Sequence, residues 1–184
     1  MAFPTSISAA QYSALAVSRE AVPATLSEAN LKGVFSGTAS GDYVEIKNIR
    51  DMPSFGTPAN IVKVPVYGQA QTQSIGAQSD APDLELTINY VPSEWAKLNA
   101  SFATSGSLGD AVADGIAKVF QFALLPSKPT NLNALAGGVG TVPNALIYFV
   151  GKVESLLVNP ARDDASTATV ALSIQSDFFG PYTV

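Results

Sequence analysis

Runs in which every second residue is apolar dominate this chain, and the alternation is clearest from Asp83 to Val91. There Leu84, Leu86, Ile88 and Tyr90 fall on one face, with Asp83, Glu85, Thr87 and Asn89 on the other. Side chains of a strand point alternately to its two faces, so this spacing predicts a half-buried β-strand. The period changes directly after it. Trp95, Leu98 and Phe102 recur at helical spacing behind Pro92 and Ser93, which open a helix that Gly106 and Gly109 close. Leu108–Asp114 would add a further turn.

Further strands follow the same logic. Asp42–Lys47 alternates, with Val44 and Ile46 on one face. Asn48–Ala59, with two prolines and a glycine, reads as a loop. Ile61–Val66 is β-branched and ends near Pro65, which suits an edge strand. Gln69–Gln78 is polar and compatible with a strand or a long hairpin. Ile116–Leu125 is an apolar strand stopped by Pro126, and Ser127–Val142 is a long Asn-, Pro- and Gly-rich loop. Loops of that length are uncommon unless they contact something. Asn144–Val158 is a long strand with Gly151 inside it, where a bulge or a close backbone approach is expected. After a turn at Asn159–Asp164, Thr169–Gln175 closes the chain with Val170, Leu172 and Ile174 on one face. Residues 1–41 are rich in Ala, Ser and Thr and read as a partly extended arm, with a short helix over Ser13–Glu20 that Pro23 interrupts. The expected architecture is mainly β: an antiparallel β-sandwich or barrel over residues 42–184 with one flanking α-helix.

Composition narrows the chemistry. With 184 residues the chain suits a single domain able to bury a full core. It has no cysteine and no histidine, which excludes disulfides, thiol nucleophiles, Cys/His zinc sites and histidine-based triads. Net charge is −5 with only ten basic residues, against the clustered Lys and Arg that phosphate neutralisation requires. Charged residues make up 14% of the chain, well below the roughly 25% of an average soluble domain. A surface so poor in charge implies that other protein covers part of it. The N-terminus lacks the basic region of a secretory signal, and no apolar run reaches the roughly 18 residues of a membrane span.

Each candidate site has a simpler explanation. Gly137–Thr141 lacks the Lys-Ser/Thr of a phosphate loop and precedes a strand, so it reads as a loop. Asp163 with Asp164, and Asp80 with Asp83, lack the ligand spacing of a calcium loop and read as solvated turn carboxylates. No serine sits in a G-x-S-x-G elbow or an S-x-x-K motif. Trp95, Leu98 and Phe102 fit a helix face against a sheet better than a ligand platform. No catalytic residue, cofactor or metal is expected.

In order and spacing, these segments resemble the tail tube proteins of long-tailed, siphophage-type bacteriophages. The resemblance rests on the strand Leu84–Tyr90 behind its acidic lead-in, followed by Pro92 and a helix through Leu98. It continues in Tyr148–Val153, in Asp163-Asp164 with the strand Ala168–Ile174, and in Ser18–Ala21 before Pro23. It covers most of the chain, although Ser127–Val142 and residues 1–12 match no family pattern. Contractile-phage inner tubes and type VI secretion needles have a similar fold.

The resemblance implies that copies of the chain close into hexameric rings. Rings would stack into a hollow virion tail tube around a tape-measure protein, with tail tip and terminator proteins at its ends. The tube would be assembled in the host bacterial cytoplasm and would pass DNA without binding it. Two faces are candidates for the lumen, Asp83/Glu85/Thr87/Asn89 and Thr169/Ala171/Ser173/Gln175, since acidic and small polar groups repel or ignore DNA. The acidic face is the preferred of the two, and Met52 and Phe55 would seat on a neighbouring subunit. Rival readings are another virion β-protein (decoration protein, tail terminator or contractile-type inner tube) and a ligand-binding β-barrel.

Overall fold

A computed structural model describes residues 13–35, 43–51, 53–56, 61–65, 67–68, 73–76, 83–102, 115–125, 145–162 and 164–183. The fold is mainly antiparallel β with two helices among these residues. The strands are β1 (Ser13–Ser18), β2 (Tyr43–Ile46), β3 (Ile49–Asp51), β4 (Ile61–Val64), β5 (Gln73–Gly76), β6 (Leu84–Asn89), β7 (Ala117–Leu124), β8 (Leu146–Asn159), β9 (Thr167–Ile174) and β10 (Phe179–Tyr182). The helices are α1 (Glu28–Val34) and α2 (Pro92–Phe102).

The main sheet runs in the order β2-β1-β7-β8-β9-β6-β3, with β10 beside β8. Its first and last strands, β2 and β3, are joined only by Lys47 and Asn48. Ile46 and Ile49 therefore lie within roughly 11 Å of each other. A sheet whose two ends are tethered so closely must roll up. Asn48 makes the corner with φ 60°, a left-handed conformation that asparagine tolerates better than most residues.

Rolling brings the inner faces together. Leu15 and Val17 of β1, Ile46 of β2, Leu84, Leu86 and Ile88 of β6, Phe120 and Phe122 of β7, Phe149 and Val153 of β8, and Val170 and Leu172 of β9 form one core. Trp95 and Leu98 of α2 complete it, so the expected helix face is a packing face; the side chain of Phe102 lies outside the described residues. Stacked rings at its centre, Phe120 on Phe149 at 5.0 Å and Phe122 on Phe149 at 5.6 Å, bury the largest apolar areas.

The outer face of β1, β7 and the first half of β8 is also covered. Ala16, Val119, Ala123, Leu146 and Tyr148 pack there against Leu31, Val34 and Phe35 from α1 and its C-cap. Ser27 caps α1 by accepting from Asn30 N at 3.3 Å, and Lys32 pairs with Glu28 one turn away at 2.7 Å. This second layer explains why Ser13–Ser18 is a strand and not the helix its alanines suggest. It is hydrogen-bonded along both edges, to β2 and β7, and both its faces are buried, so alternation disappears and the small residues serve close packing under α1. Part of the expected arm is thus a strand of the main sheet. Residues 1–12, Leu108–Asp114 and Ser127–Val142 lie outside the described residues.

The long strand β8 links two halves of the sheet. Its first half pairs with β7, and residues 151–159 pair with β9. The register shifts between Val153 and Ser155, so the bulge falls at Glu154 and not at Gly151. Before it, Ile147, Phe149 and Val153 face the core; after it, Leu156 does. An extra residue is what changes odd positions for even ones. Gly151 answers the other expectation, close approach: a Cβ there would stand 3.0 Å from the Phe149 ring and 3.1 Å from that of Phe120. The loop expected at Asn48–Ala59 contains β3, paired to β6, and β10 was not foreseen.

One polar pair is sealed beneath α1. Gln121 Nε2 donates to the Tyr148 hydroxyl at 3.1 Å, with Gln121 only 4% exposed. Tyr148→Phe strands that amide and should cost about 1–3 kcal/mol in urea unfolding, whereas Gln121→Leu/Tyr148→Phe should cost less than the single change. Burial pushes the Tyr148 phenol well above its ordinary range, partly opposed by the Gln121 hydrogen bond and raised further by Glu28 and Tyr182. The unfolded chain then releases this proton first. Its stabilisation is complete below about pH 10, the ordinary tyrosine pKa, and declines above it. Thermal unfolding followed from pH 8 to pH 12 should show that decline, and Tyr148→Phe should flatten it.

Candidate assembly surface

The second half of the sheet, β8-β9-β6-β3, buries one face and leaves the other open. Its outward positions form cross-strand rows fixed by the register. Ser155, Ala171 and Glu85 stand in one row; Leu157, Thr169, Thr87 and Asp51 in the next; Asn159, Thr167 and Asn89 in a third. Lys152 and Ser173 begin the series before the bulge. The two candidate faces from the sequence, Glu85/Thr87/Asn89 and Thr169/Ala171/Ser173, are therefore one continuous surface and not alternatives. Exposed Asp83 precedes the first strand of the pair, and exposed Gln175 follows the second.

The surface is built mostly from hydroxyl, amide and carboxylate groups. Asn159 Nδ2 donates to Thr169 Oγ1 at 3.3 Å, and Gln175 Nε2 to Ser173 Oγ at 2.6 Å. Thr and Ser on adjacent strands favour this pleated, half-wet setting. Leu157 is the exception, a large apolar side chain 55% exposed in the middle row; Val158, 40% exposed, lies on the opposite face across from Ala168. Sequence reading passed over them because Leu156–Val158 is uniformly apolar; only the bulge decides which of the three turns outward.

Both margins of this wall lack a strand partner among the described residues. The edge of residues 153–159 on the β7 side has none, because β7 stops pairing at Lys152, and β3 ends the sheet path. Unpaired strand edges are templates for another chain. Among the described residues the hairpin β4–β5 pairs only within itself, and Tyr67 in its connection is fully exposed.

Met52 lies outside the described residues. Phe55 is half-buried and stacks on Phe122 of its own chain at 4.2 Å, with Phe178 6.0 Å away. Much of its ring is thereby engaged intramolecularly. Asp164 is exposed in its turn, while Asp80, Asp163 and Gly137–Thr141 are outside the described residues. Among the described residues no group of three or more Asp and Glu is placed to hold a metal ion, and no helix is long and apolar enough to cross a membrane.

No family model and no curated protein matches this chain. Among solved structures, a chain from the tail of an empty GTA particle, with C6 symmetry, is 10% identical over 76% of this chain and 87% of its own, at a TM-score of 0.49. A chain from the baseplate of the anti-feeding prophage, 6-fold symmetrised, is 12% identical over 98% of this chain and 99% of its own, at a TM-score of 0.53. The second likeness spans practically both chains and is one of fold.

Because Phe55 packs on Phe122, Phe55→Ser should lower the stability of the isolated chain by about 2 kcal/mol, as expected for truncating a half-buried aromatic ring. Chemical denaturation of the monomer measures this independently of assembly.

Proposed function

We propose that this chain is a structural subunit of a phage tail-type particle, in which six copies close into a ring and rings stack into a hollow tube. The observation that carries the reading is the four-stranded wall: polar on its open face, unpaired at both margins, and apolar at one of them. Copies joined margin to margin would continue the sheet from one subunit to the next, with β3 of one chain beside the free stretch of β8 in its neighbour. Such a contact is head-to-tail, and a ring is its closed form. The fold likeness to a chain of a 6-fold symmetrised baseplate supports six as the copy number.

In this arrangement the open face lines the bore, with Asp83, Glu85, Thr87 and Asn89 on one strand and Thr169, Ala171, Ser173 and Gln175 on the next. Carboxylates, hydroxyls and amides without a basic cluster give DNA nothing to hold, and a net charge of −5 repels it. A tape-measure protein would occupy the bore during assembly, and DNA would traverse it on ejection. Leu157, at the β8 margin of that face, would pack against the adjoining subunit where the two sheets join, beside the loop that carries Met52 and Phe55. Covering the 55% of Leu157 still exposed would contribute about 1 kcal/mol, repeated at every junction of the ring. The hairpin β4–β5, with Tyr67 exposed in its connection, would serve contacts between rings. The virion tail is then its site of action, and the bacterial cytoplasm its place of assembly.

A second reading follows from the baseplate origin of the similar fold: a ring that starts a tube without being its repeating unit. Electron microscopy of the purified chain separates the two, as long hollow tubes indicate the repeating subunit and isolated rings the initiator. Leu157→Asp should abolish both forms and leave a folded monomer, because Leu157 faces outward and surface substitutions cost within about 0.5 kcal/mol. A wild-type chain that stays monomeric at high concentration, or tubes from the Leu157→Asp variant, would refute the reading.

A further inference from the structure

Where the sheet closes, a small cleft remains between β2, the end of β6 and α2, lined by Glu45, Lys47, Asn48, Asn89, Glu94 and Trp95 over an apolar floor that includes Ile88 and Leu98. Trp95 is 5% exposed, and its indole N–H is buried without a hydrogen-bond partner, unlike every other buried side-chain polar atom among the described residues. An unpaired buried donor costs about 1–3 kcal/mol, so native structures rarely leave one unsatisfied. Asn48, in its left-handed conformation, borders the same cleft. The cleft is about the size that a single water needs.

The lining selects the guest. An anion would meet the carboxylates of Glu45 and Glu94, and a metal cation would meet the indole N–H, which can only donate. An apolar guest would leave that donor unpaired. A hydroxylic molecule can accept from the indole and donate to a carboxylate or amide oxygen at once.

We infer that this cleft binds one ordered water, which accepts from the Trp95 indole N–H and donates to the Glu45 carboxylate. The water ties α2 to the seam at which the rolled sheet closes. Lys47 on β2, and Glu94 with its partner Lys97 at 3.0 Å on α2, are the other charged groups at or beside the cleft. Burial raises the Glu45 carboxyl above its ordinary range, opposed by Lys47 and reinforced by Glu94. Protonation of Glu45 on acidification would remove the acceptor charge and reorient the water.

Trp95 is the single tryptophan of the chain, so one indole N–H resonance reports the site. Nuclear magnetic resonance of the full chain, in solution or by magic-angle spinning if it polymerises, should give a cross-peak from that proton to a long-lived water. Its exchange with bulk solvent should be slower than in free tryptophan. The resonance should shift on acidification, and Glu45→Gln should abolish the shift while preserving the fold. A folded protein with no water cross-peak, or with exchange as fast as in free tryptophan, overturns the inference. A shift that survives Glu45→Gln overturns the assignment of Glu45 as acceptor.

Discussion

The structure depends on a short tether. Lys47 and Asn48 join strands that lie at opposite ends of the sheet's hydrogen-bonding order, so the sheet cannot spread flat. Its inner face must close around Phe120, Phe122 and Phe149, and α2 must cover the line where the two ends meet. Closure protects most strand edges from non-native pairing. Among the edges left unpaired in the described residues are the two margins of the β8-β9-β6-β3 wall.

That wall owes its form to the bulge at Glu154. A strand of fourteen residues that belongs to two half-sheets cannot keep one facing throughout unless the pattern of its residues does too. The pattern here changes phase, from Phe149 and Val153 inward to Leu156 inward, and the bulge absorbs the difference. The same shift turns Leu157 outward onto a face made mostly of threonine, serine, asparagine and carboxylate side chains. One inserted residue thus produces both a continuous core and an apolar contact on the open surface.

The chain has no cysteine or histidine, and among the described residues no group of three or more Asp and Glu is placed to hold a metal ion. What it does have is a rigid curved wall with unpaired margins and few charges to keep neighbours away. The role proposed for it would follow from how copies meet.

The sequence by itself determined β6, α2, β7 and β9, because each buries one face or is wholly apolar, and periodicity records burial directly. It also determined the absence of thiol and imidazole chemistry, which is a matter of composition. Only the tertiary structure decided that Ser13–Ser18 is a strand, since a segment covered on both faces loses its alternation and its alanines then suggest a helix. The same holds for the joining of the Glu85 and Thr169 faces into one surface and for the engagement of Phe55 by Phe122. These depend on which distant strands pair and in what register. Long-range pairing is a property of the closed sheet as a whole, and no local window of residues encodes it.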